Sequence, residues 1–248
     1  MKTIEGEEAI SILYACESGS RAWDFASTDS DYDVRFIYVR DVSRYLHLSR
    51  PRDVIERPLT DNLDVNGWDV FKACELLRKS NPPLLEWFGS PIVYGEHGDF
   101  ARTCRVLADE HFCARACCEH YLSLAKSTNA LHVADQARIK RKKYLYVLRP
   151  LIGIRWIVKY GAFPPTSFPQ TLAGLEIPRE AAEEIDLLLR DKRAGVEMDE
   201  APANQVLGAF ITQELNRLTP IIRAMPPRPF PQDSLNQLLE RTILTASV

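Results

Sequence analysis

A glycine–serine pair, followed after ten residues by two aspartates, is the feature of this sequence best suited to chemistry. Gly19 and Ser20 fall in a predicted turn, and Asp31 and Asp33 lie at the start of an apolar segment, Tyr32–Val39, that predicts a strand. Side chains two apart on a strand point to the same face, so we expect the two carboxylates to project together. Adjacent carboxylates stay ionised most easily with a cation between them. Mg²⁺ suits that place, because it takes oxygen ligands and is commonly completed by substrate phosphates.

The turn before the acid pair has the residue types of a phosphate site. Gly19 has no Cβ, so its backbone can approach a phosphate closely. Ser20 offers a hydroxyl, and the N–H groups of a turn or helix start attract anions. Arg21 follows directly and could reach a phosphate oxygen, with a surface ion pair to Glu17 or Asp24 as an equal alternative. We therefore predict that Gly19, Ser20 and Arg21 bind a nucleoside triphosphate.

A third carboxylate would complete such a site. In two-metal phosphate chemistry, one metal activates the attacking oxygen and the other stabilises the leaving oxygen. Asp64 lies at the centre of a short apolar strand, Leu63–Val65, and is the favoured third acid. Asp69 is the alternative, but it sits at a predicted helix start, where the helix dipole favours an acid. Asp29 and Asp61 are predicted to be turn residues.

The composition is that of an ordinary globular chain. Of 248 residues, 46% are hydrophobic and 26% are charged, and the net charge is −3. That charge gives no overall electrostatic case for binding long nucleic acid, although basic residues cluster at 138–143. No run of eighteen apolar residues occurs, so no membrane span is predicted. Six cysteines without an export signal predict a cytoplasmic protein with reduced thiols.

The pattern of predicted elements changes near residue 98. Short strands and helices come first, with a helix predicted over 68–79 and strands near 11–16, 50–57 and 92–94. Long helical patterns follow over 100–127, 130–160, 179–193 and 204–224. A proline-rich connector at 225–231 and a final helix complete the chain. We therefore predict an α+β fold, with a mixed-sheet domain at 1–97 and an all-α domain at 98–248. The crevice between two such domains is the default ligand site.

The turn and acid pair resemble a known signature. Gly19-Ser20 followed by Asp31-x-Asp33 looks like the DNA polymerase β-like nucleotidyltransferase superfamily. The longer run at 15–38 resembles one branch, the YcgL-type predicted nucleotidyltransferases, also called the RNA-repair-pathway polymerase-β family. Further similar segments lie at 67–69, 72, 81–82, 86–87, 90–94, 143–151 and 155–156, so the resemblance covers about two thirds of the chain. Asp24 departs from the pattern, because the resemblance implies glycine there.

The resemblance implies a catalytic N-terminal domain and a helical domain that closes over the nucleotide. Lys143, Tyr146 and Arg149 share one helical face, and the similarity extends over them. Lys143 and Arg149 would clamp the triphosphate, and Tyr146 would stack on a base. The alternative is a solvated basic face with a tyrosine in the core.

Three functional hypotheses follow. In the first, Asp31, Asp33 and Asp64 hold two Mg²⁺ ions, with Mn²⁺ as a substitute, and an NMP passes from an NTP such as ATP to an acceptor hydroxyl. The acceptor is unidentified, and an RNA end is one candidate. In the second, which Asp24 motivates, the protein binds nucleotide or RNA without transfer. In the third, it is an antitoxin-like nucleotidyltransferase that acts on a partner protein.

Overall fold

The computed structural model describes residues 1–49, 51–60, 62–196 and 199–246. These form two compact units. The first contains residues 1–22, 31–112 and 229–246, and the second contains 23–30 and 113–228. Asp61, predicted to be a turn residue, lies outside the described residues, whereas Asp29 does lie in a turn.

The strands follow in chain order as β1 (Ile10–Glu17), β2 (Tyr32–Arg40), β3 (Val54–Glu56), β4 (Leu63–Asp69), β5 (Val93–Glu96), β6 (Arg138–Lys140) and β7 (Glu200–Pro202). The first five form one sheet in the order β3-β4-β2-β1-β5. Strand β1 pairs antiparallel with β2 and with β5, and β4 runs parallel to β2 and antiparallel to β3. The mixed sheet and its helices confirm the predicted α+β class.

The helices are, in chain order, α1 (Lys2–Glu8), α2 (Gly19–Ala22), α3 (Val42–Tyr45), α4 (Val70–Arg78), α5 (Pro82–Phe88), α6 (Phe100–His111), α7 (Ala114–His132), α8 (Lys142–Tyr160), α9 (Phe168–Ala173), α10 (Arg179–Arg193), α11 (Gln205–Ala224) and α12 (Gln232–Thr245). None of these helices is long and apolar enough to cross a membrane.

Strand β2 is buried on both faces beyond residue 35, which fixes the position of the acids at its start. Phe36 and Tyr38 are fully buried in a core cluster on one face, and Val34 packs against that cluster. Ile37 and Val39 are equally buried on the other face. A one-residue slip of the strand would exchange its faces and move Asp33 and Arg35 to the face of the core cluster, so the register is specific.

The first residue of β2 lies outside the core. Tyr32 is on the same strand face as Phe36 and Tyr38, but it is 47% exposed and its ring lies under the Arg21 guanidinium, 3.8 Å from Cζ. The strand begins at Tyr32, beyond the cover of the core, so its first side chain packs on a cation instead.

The division into units differs from the predicted boundary near residue 97. Helix α6 packs on β1 and α5, and α12 packs on α4, α6 and β2, so both belong to the sheet-containing unit. The segment 23–30 groups instead with the second unit. The composition of a chain does not show which distant segments pack together. The sequence therefore predicted only one boundary, at the change from strand to helix patterns near residue 97.

The second unit is mainly helical but is not all-α. Strands β6 and β7 pair antiparallel within it, and β6 interrupts the helix predicted over 130–160. The helix predicted over 100–127 also divides, because Phe112 and Cys113 adopt extended backbone between α6 and α7. Helix α10 matches its predicted range, and Asn204 caps α11 by accepting a hydrogen bond from the Leu207 N–H at 2.9 Å.

All six cysteine side chains are buried, and no disulfide joins any two of them within the described part of the chain. Burial raises the pKa of Cys16, Cys74 and Cys118 to about 12. Because a thiolate is the reactive form of cysteine, these three are poor nucleophiles.

Gly67 offers a test of the packing that holds β4 beside β2. It pairs with Phe36, and a Cβ added to it would lie 2.2 Å from the Phe36 ring. We expect Gly67→Ala to lower the free energy of unfolding by about 1–3 kcal/mol through overpacking. Gly6→Ala in α1 is the control, because a Cβ there meets nothing within 4 Å and alanine is favoured over glycine in a helix by roughly 0.5–1 kcal/mol. Urea denaturation of both variants measures the difference, and equal stability of Gly67→Ala and wild type would contradict the packing argument.

Candidate active site

The segment predicted as a turn is the single helical turn α2 (Gly19–Ala22), called the Gly19 turn below, and it is in close contact with the Asp33 carboxylate. Gly19 has φ +57°, and a Cβ built on it would lie 1.8 Å from Oδ2 of Asp33. The Ser18 N–H donates to the Asp33 backbone carbonyl at 2.8 Å, which ties the turn to the start of β2. Only glycine leaves room for the carboxylate and adopts this backbone conformation without strain. The predicted pairing of turn and acid is therefore a direct contact.

Asp64 lies beside Asp33 on the neighbouring strand. The parallel register of β2 and β4 places the two residues opposite each other. Both carboxylates bind one nitrogen of Arg35: Nη2 donates to Asp33 Oδ1 at 2.8 Å and to Asp64 Oδ2 at 2.7 Å. Nη1 donates to the backbone carbonyls of Val34 and Asp64, each at 3.1 Å. Two acids 31 residues apart in sequence thus meet at a single guanidinium.

Glu17 supports Asp33 from the end of β1. Its side chain is fully buried, and Oε1 accepts a hydrogen bond from the Asp33 backbone N–H at 2.8 Å. Tyr94 OH donates to the other oxygen, Oε2. Ser90 donates its hydroxyl to the Glu17 carbonyl at 2.6 Å. A buried acid held in this way fixes the backbone of the strand that carries Asp33.

Asp31 and Arg21 lie at the exposed edge of this arrangement. Asp31 directly precedes β2, and its backbone carbonyl accepts a hydrogen bond from Arg21 Nε at 3.3 Å. Arg21 is therefore held against the start of β2, where it packs on the Tyr32 ring. This position supplies a positive charge next to the proposed phosphate turn.

Negative charge accumulates around Asp33. Burial raises the pKa of Asp33, the charges of Asp64, Glu17 and Asp31 act in the same direction, and the Arg35 guanidinium opposes them. Carboxylates crowded in a partly buried place favour any cation that sits among them. In this structure Arg35 supplies that cation.

Asp69, the alternative third acid, has a structural task at the far end of β4. Its Oδ1 accepts the Phe71 N–H at 2.9 Å and so caps α4, and Oδ2 accepts the Tyr45 hydroxyl at 3.0 Å. Five residues of strand separate it from Asp64, or about 16 Å at the usual rise. Asp64 and not Asp69 is thus the acid that the fold brings to Asp33.

The donor chemistry of this site fits a divalent cation of the Mg²⁺ type. Two carboxylate oxygens already converge on one cationic nitrogen, and hard oxygen donors are the ligands that Mg²⁺ and Mn²⁺ take. Among the described residues, however, no three His, Cys, Asp or Glu side chains are assembled closely enough to hold a metal as they stand. The three predicted ligands Asp31, Asp33 and Asp64 therefore do not form a ready cluster, and Arg35 bridges two of them, Asp33 and Asp64.

The other predicted nucleotide contacts lie in the second unit. Lys143, Tyr146 and Arg149 line one cavity of about 340 Å³, together with Trp23 and His132. Arg149 stacks on Trp23 with Cζ 3.9 Å from the ring centroid, and Lys143 Nζ lies 3.3 Å from Nε2 of His132. The cavity combines aromatic faces with positive charge, which are the two features that a nucleotide requires.

Asp24 has a conformation that explains the expected glycine. Its φ is +63°, in the left-handed region that glycine favours and that aspartate tolerates better than most residues. Its carbonyl accepts hydrogen bonds from Arg193, at 2.7 Å from Nη2, and its carboxylate accepts one from Ser167 at 3.3 Å. Contacts within the second unit therefore engage the extra acid.

Sequence reasoning missed Arg35, Glu17 and Tyr94. Arg35 carried a signal, since it lies two positions after Asp33 and so shares its strand face. Glu17 stands at the end of an apolar strand, which is an unusual place for an acid. Tyr94 carried no local signal, because its contact with Glu17 depends on the pairing of β1 with β5.

Comparison with known proteins identifies the family. Residues 1–241 match the RNA repair pathway DNA polymerase beta family. "Uncharacterized protein YcgL" of Bacillus subtilis (strain 168) is 41% identical over 244 residues, which cover 98% of this chain and 94% of that protein. A solved structure, a nucleotidyltransferase-like protein from Exiguobacterium sibiricum 255-15, aligns with 100% of this chain and 79% of its own at 13% identity and a TM-score of 0.30, too slight a likeness to argue from.

The chain therefore belongs to the RNA repair pathway DNA polymerase beta family, and the predicted resemblance is confirmed. Membership points to nucleotidyl transfer as the general activity and to a nucleoside triphosphate as substrate.

The contact between Gly19 and Asp33 can be tested by adding a single methyl group. We expect Gly19→Ala to lower the free energy of unfolding by about 2–4 kcal/mol, because it combines a strained backbone with displacement of a partly buried carboxylate. Gly98→Ala is the matched control, since Gly98 has φ +68° but a Cβ there meets nothing within 4 Å. That variant should lose only the backbone part, about 1 kcal/mol. Equal losses in urea denaturation would mean that Asp33 does not occupy the space above Gly19.

Proposed function

We propose that this protein is a Mg²⁺-dependent nucleotidyltransferase that moves an NMP from an NTP to an acceptor hydroxyl and releases pyrophosphate. The observation that carries the proposal is the contact of the Asp33 carboxylate with the Gly19 turn, with Asp64 opposite on the parallel strand. This arrangement brings a turn that could bind phosphate next to two carboxylates, Asp33 and Asp64, that could bind a metal ion. Family membership supports the same reaction class.

The reaction exchanges one phosphorus–oxygen bond for another. The acceptor oxygen forms a bond to the α-phosphorus, and the bond from that phosphorus to the bridging oxygen of the β-phosphate breaks, with its electron pair leaving on pyrophosphate. The hydroxyl proton passes to the Asp64 carboxylate or to water. The protein itself has little covalent chemistry to perform in this reaction. Catalysis therefore depends mainly on positioning and charge neutralisation. Bound Mg²⁺ would supply charge neutralisation on the phosphates and ease deprotonation of the hydroxyl.

Each candidate site residue of the first unit has a proposed role. Asp31, Asp33 and Asp64 would hold the metal ions, and Asp64 would also orient the acceptor hydroxyl. Gly19 and Ser20 would bind the β- and γ-phosphates through backbone N–H groups and a hydroxyl. Arg21, held beside Asp31 in this structure, would add a positive charge to the same phosphates.

The cavity of the second unit is proposed as a second nucleotide contact. Lys143 and Arg149 would bind phosphate oxygens, and Tyr146, which is 40% exposed, would stack on the base. The aromatic rings and positively charged side chains that line this cavity support the assignment. An RNA end is a suitable acceptor class, because the family description names RNA repair.

The direct test is pyrophosphate release from each NTP with Mg²⁺ and a panel of RNA ends, proteins and small hydroxyl compounds. We expect turnover by wild type and a loss of roughly 100-fold or more in Asp31→Ala/Asp33→Ala, since these residues would hold the metal ions that neutralise charge in the transition state. Asp29→Ala is the control, because Asp29 is an exposed turn acid in the same loop. Binding of Mg·NTP by calorimetry without any product would favour the non-catalytic alternative, and full activity of the double variant would overturn the proposed site.

The identity of the third acid gives a second test. Asp64→Ala should keep most of its stability but lose turnover by roughly 100-fold or more. Asp69→Ala should show the opposite result: a lost helix cap costs about 0.5–2 kcal/mol of folding free energy, with turnover per folded molecule unchanged. Thermal unfolding and pyrophosphate release measured on the same preparations separate the two. Loss of turnover in folded Asp69→Ala would reverse the assignment.

A further inference from the structure

Arg35 occupies the place between the two acids that the fold brings together. Its side chain is only 16% exposed, and its two terminal nitrogens make four hydrogen bonds to Val34, Asp33 and Asp64. Two of these go to backbone carbonyls, which hold the guanidinium in place even if a carboxylate moves. Arg35 is thus a fixed part of the site and not a surface cation that happens to lie nearby.

A fixed guanidinium changes how the acids meet a divalent cation. Arginine remains charged at any ordinary pH. A metal bound to Asp33 and Asp64 would therefore lie close to a permanent positive charge, and like charges a few ångströms apart repel strongly where water is partly excluded. Arg35 binds Oδ1 of Asp33 and Oδ2 of Asp64, so a metal would have to use the other oxygen of each carboxylate beside the guanidinium, or displace the guanidinium from the more exposed Asp64.

A triphosphate would alter this balance. Its negative charges would lie beside Arg35 and Arg21, and would offset the repulsion that an isolated metal ion meets. The metal would therefore bind more tightly in the presence of nucleotide than alone. By linkage, the metal would increase the affinity for nucleotide by the same factor.

On the basis of the proposed function, we propose that Arg35 is a positioning residue that holds Asp33 and Asp64 together in the metal-free protein and weakens the binding of a divalent cation that arrives without nucleotide. Arg35 keeps the carboxylates of Asp33 and Asp64 close together before the substrate binds. It also directs the metal to enter together with the triphosphate.

The test measures Mn²⁺ binding by the EPR signal of the free ion, which requires no turnover. Arg35→Met and Arg35→Gln both remove the charge, and glutamine keeps donors for the backbone carbonyls in case the methionine variant fails to fold. Arg35→Lys keeps the charge. Arg57→Met is the matched control, because Arg57 also bridges two acids of the first unit, Glu7 at 2.7 Å and Glu8 at 3.0 Å.

We expect the neutral variants to bind Mn²⁺ without nucleotide about tenfold or more tightly than wild type, from the removal of a nearby like charge. Arg35→Lys and Arg57→Met should bind as wild type does. A non-hydrolysable NTP should reduce the difference in Mn²⁺ affinity between wild type and the neutral variants. In thermal unfolding with EDTA, Arg35→Met should melt below wild type, and Mn²⁺ should raise its melting temperature by more.

Mn²⁺ binding by the neutral variants that equals or falls below that of wild type, or no binding by any of the proteins, would overturn the inference. Failure of the proposed function gives a different result. If the neutral variants bind Mn²⁺ more tightly but wild type releases no pyrophosphate, the role of Arg35 stands and the transfer reaction does not.

Discussion

The absence of a side chain at residue 19 is the constraint on which the site depends. The Asp33 carboxylate fills the space where a Cβ would lie, so turn and acid are in contact and not merely near in sequence. A positive φ at this position adds a second reason for glycine. The contact brings backbone N–H groups, which attract phosphate, next to oxygen atoms that attract metal. Nucleotidyl transfer needs both together.

The sheet supplies what the turn alone does not. Strand β2 is buried on both faces, and its parallel register with β4 places Asp64 opposite Asp33. Gly67 lets the Phe36 ring pack against β4 three residues further along, so a second glycine keeps that register close. Glu17 then fixes the backbone of Asp33 from the other side, on β1. Three strands of the central sheet therefore each contribute one acid to the same region.

The sequence predicted the parts of this arrangement that depend on local order. Strand periodicity located Asp33 on β2, although Asp31 lies just before the strand, and the apolar neighbours of Asp64 marked the strand that carries it. The helix-start position of Asp69 indicated its capping role in the same way. Long-range pairing was out of reach. The bridge from Arg35 to Asp64 and the contact of Tyr94 with Glu17 both depend on strand order, which the sequence alone does not specify. The short ladder of β6 and β7 and the return of α12 to the first unit were missed for the same reason.

The most direct measurement of the central claim is a crystal structure of the protein with a non-hydrolysable NTP and Mn²⁺, in which anomalous scattering locates the metal. The account predicts Mn²⁺ bound to carboxylate oxygens of Asp33 and Asp64, with triphosphate oxygens at the Gly19 turn. An anomalous peak away from Asp33, or a triphosphate bound elsewhere with the two carboxylates still joined to Arg35, would contradict it.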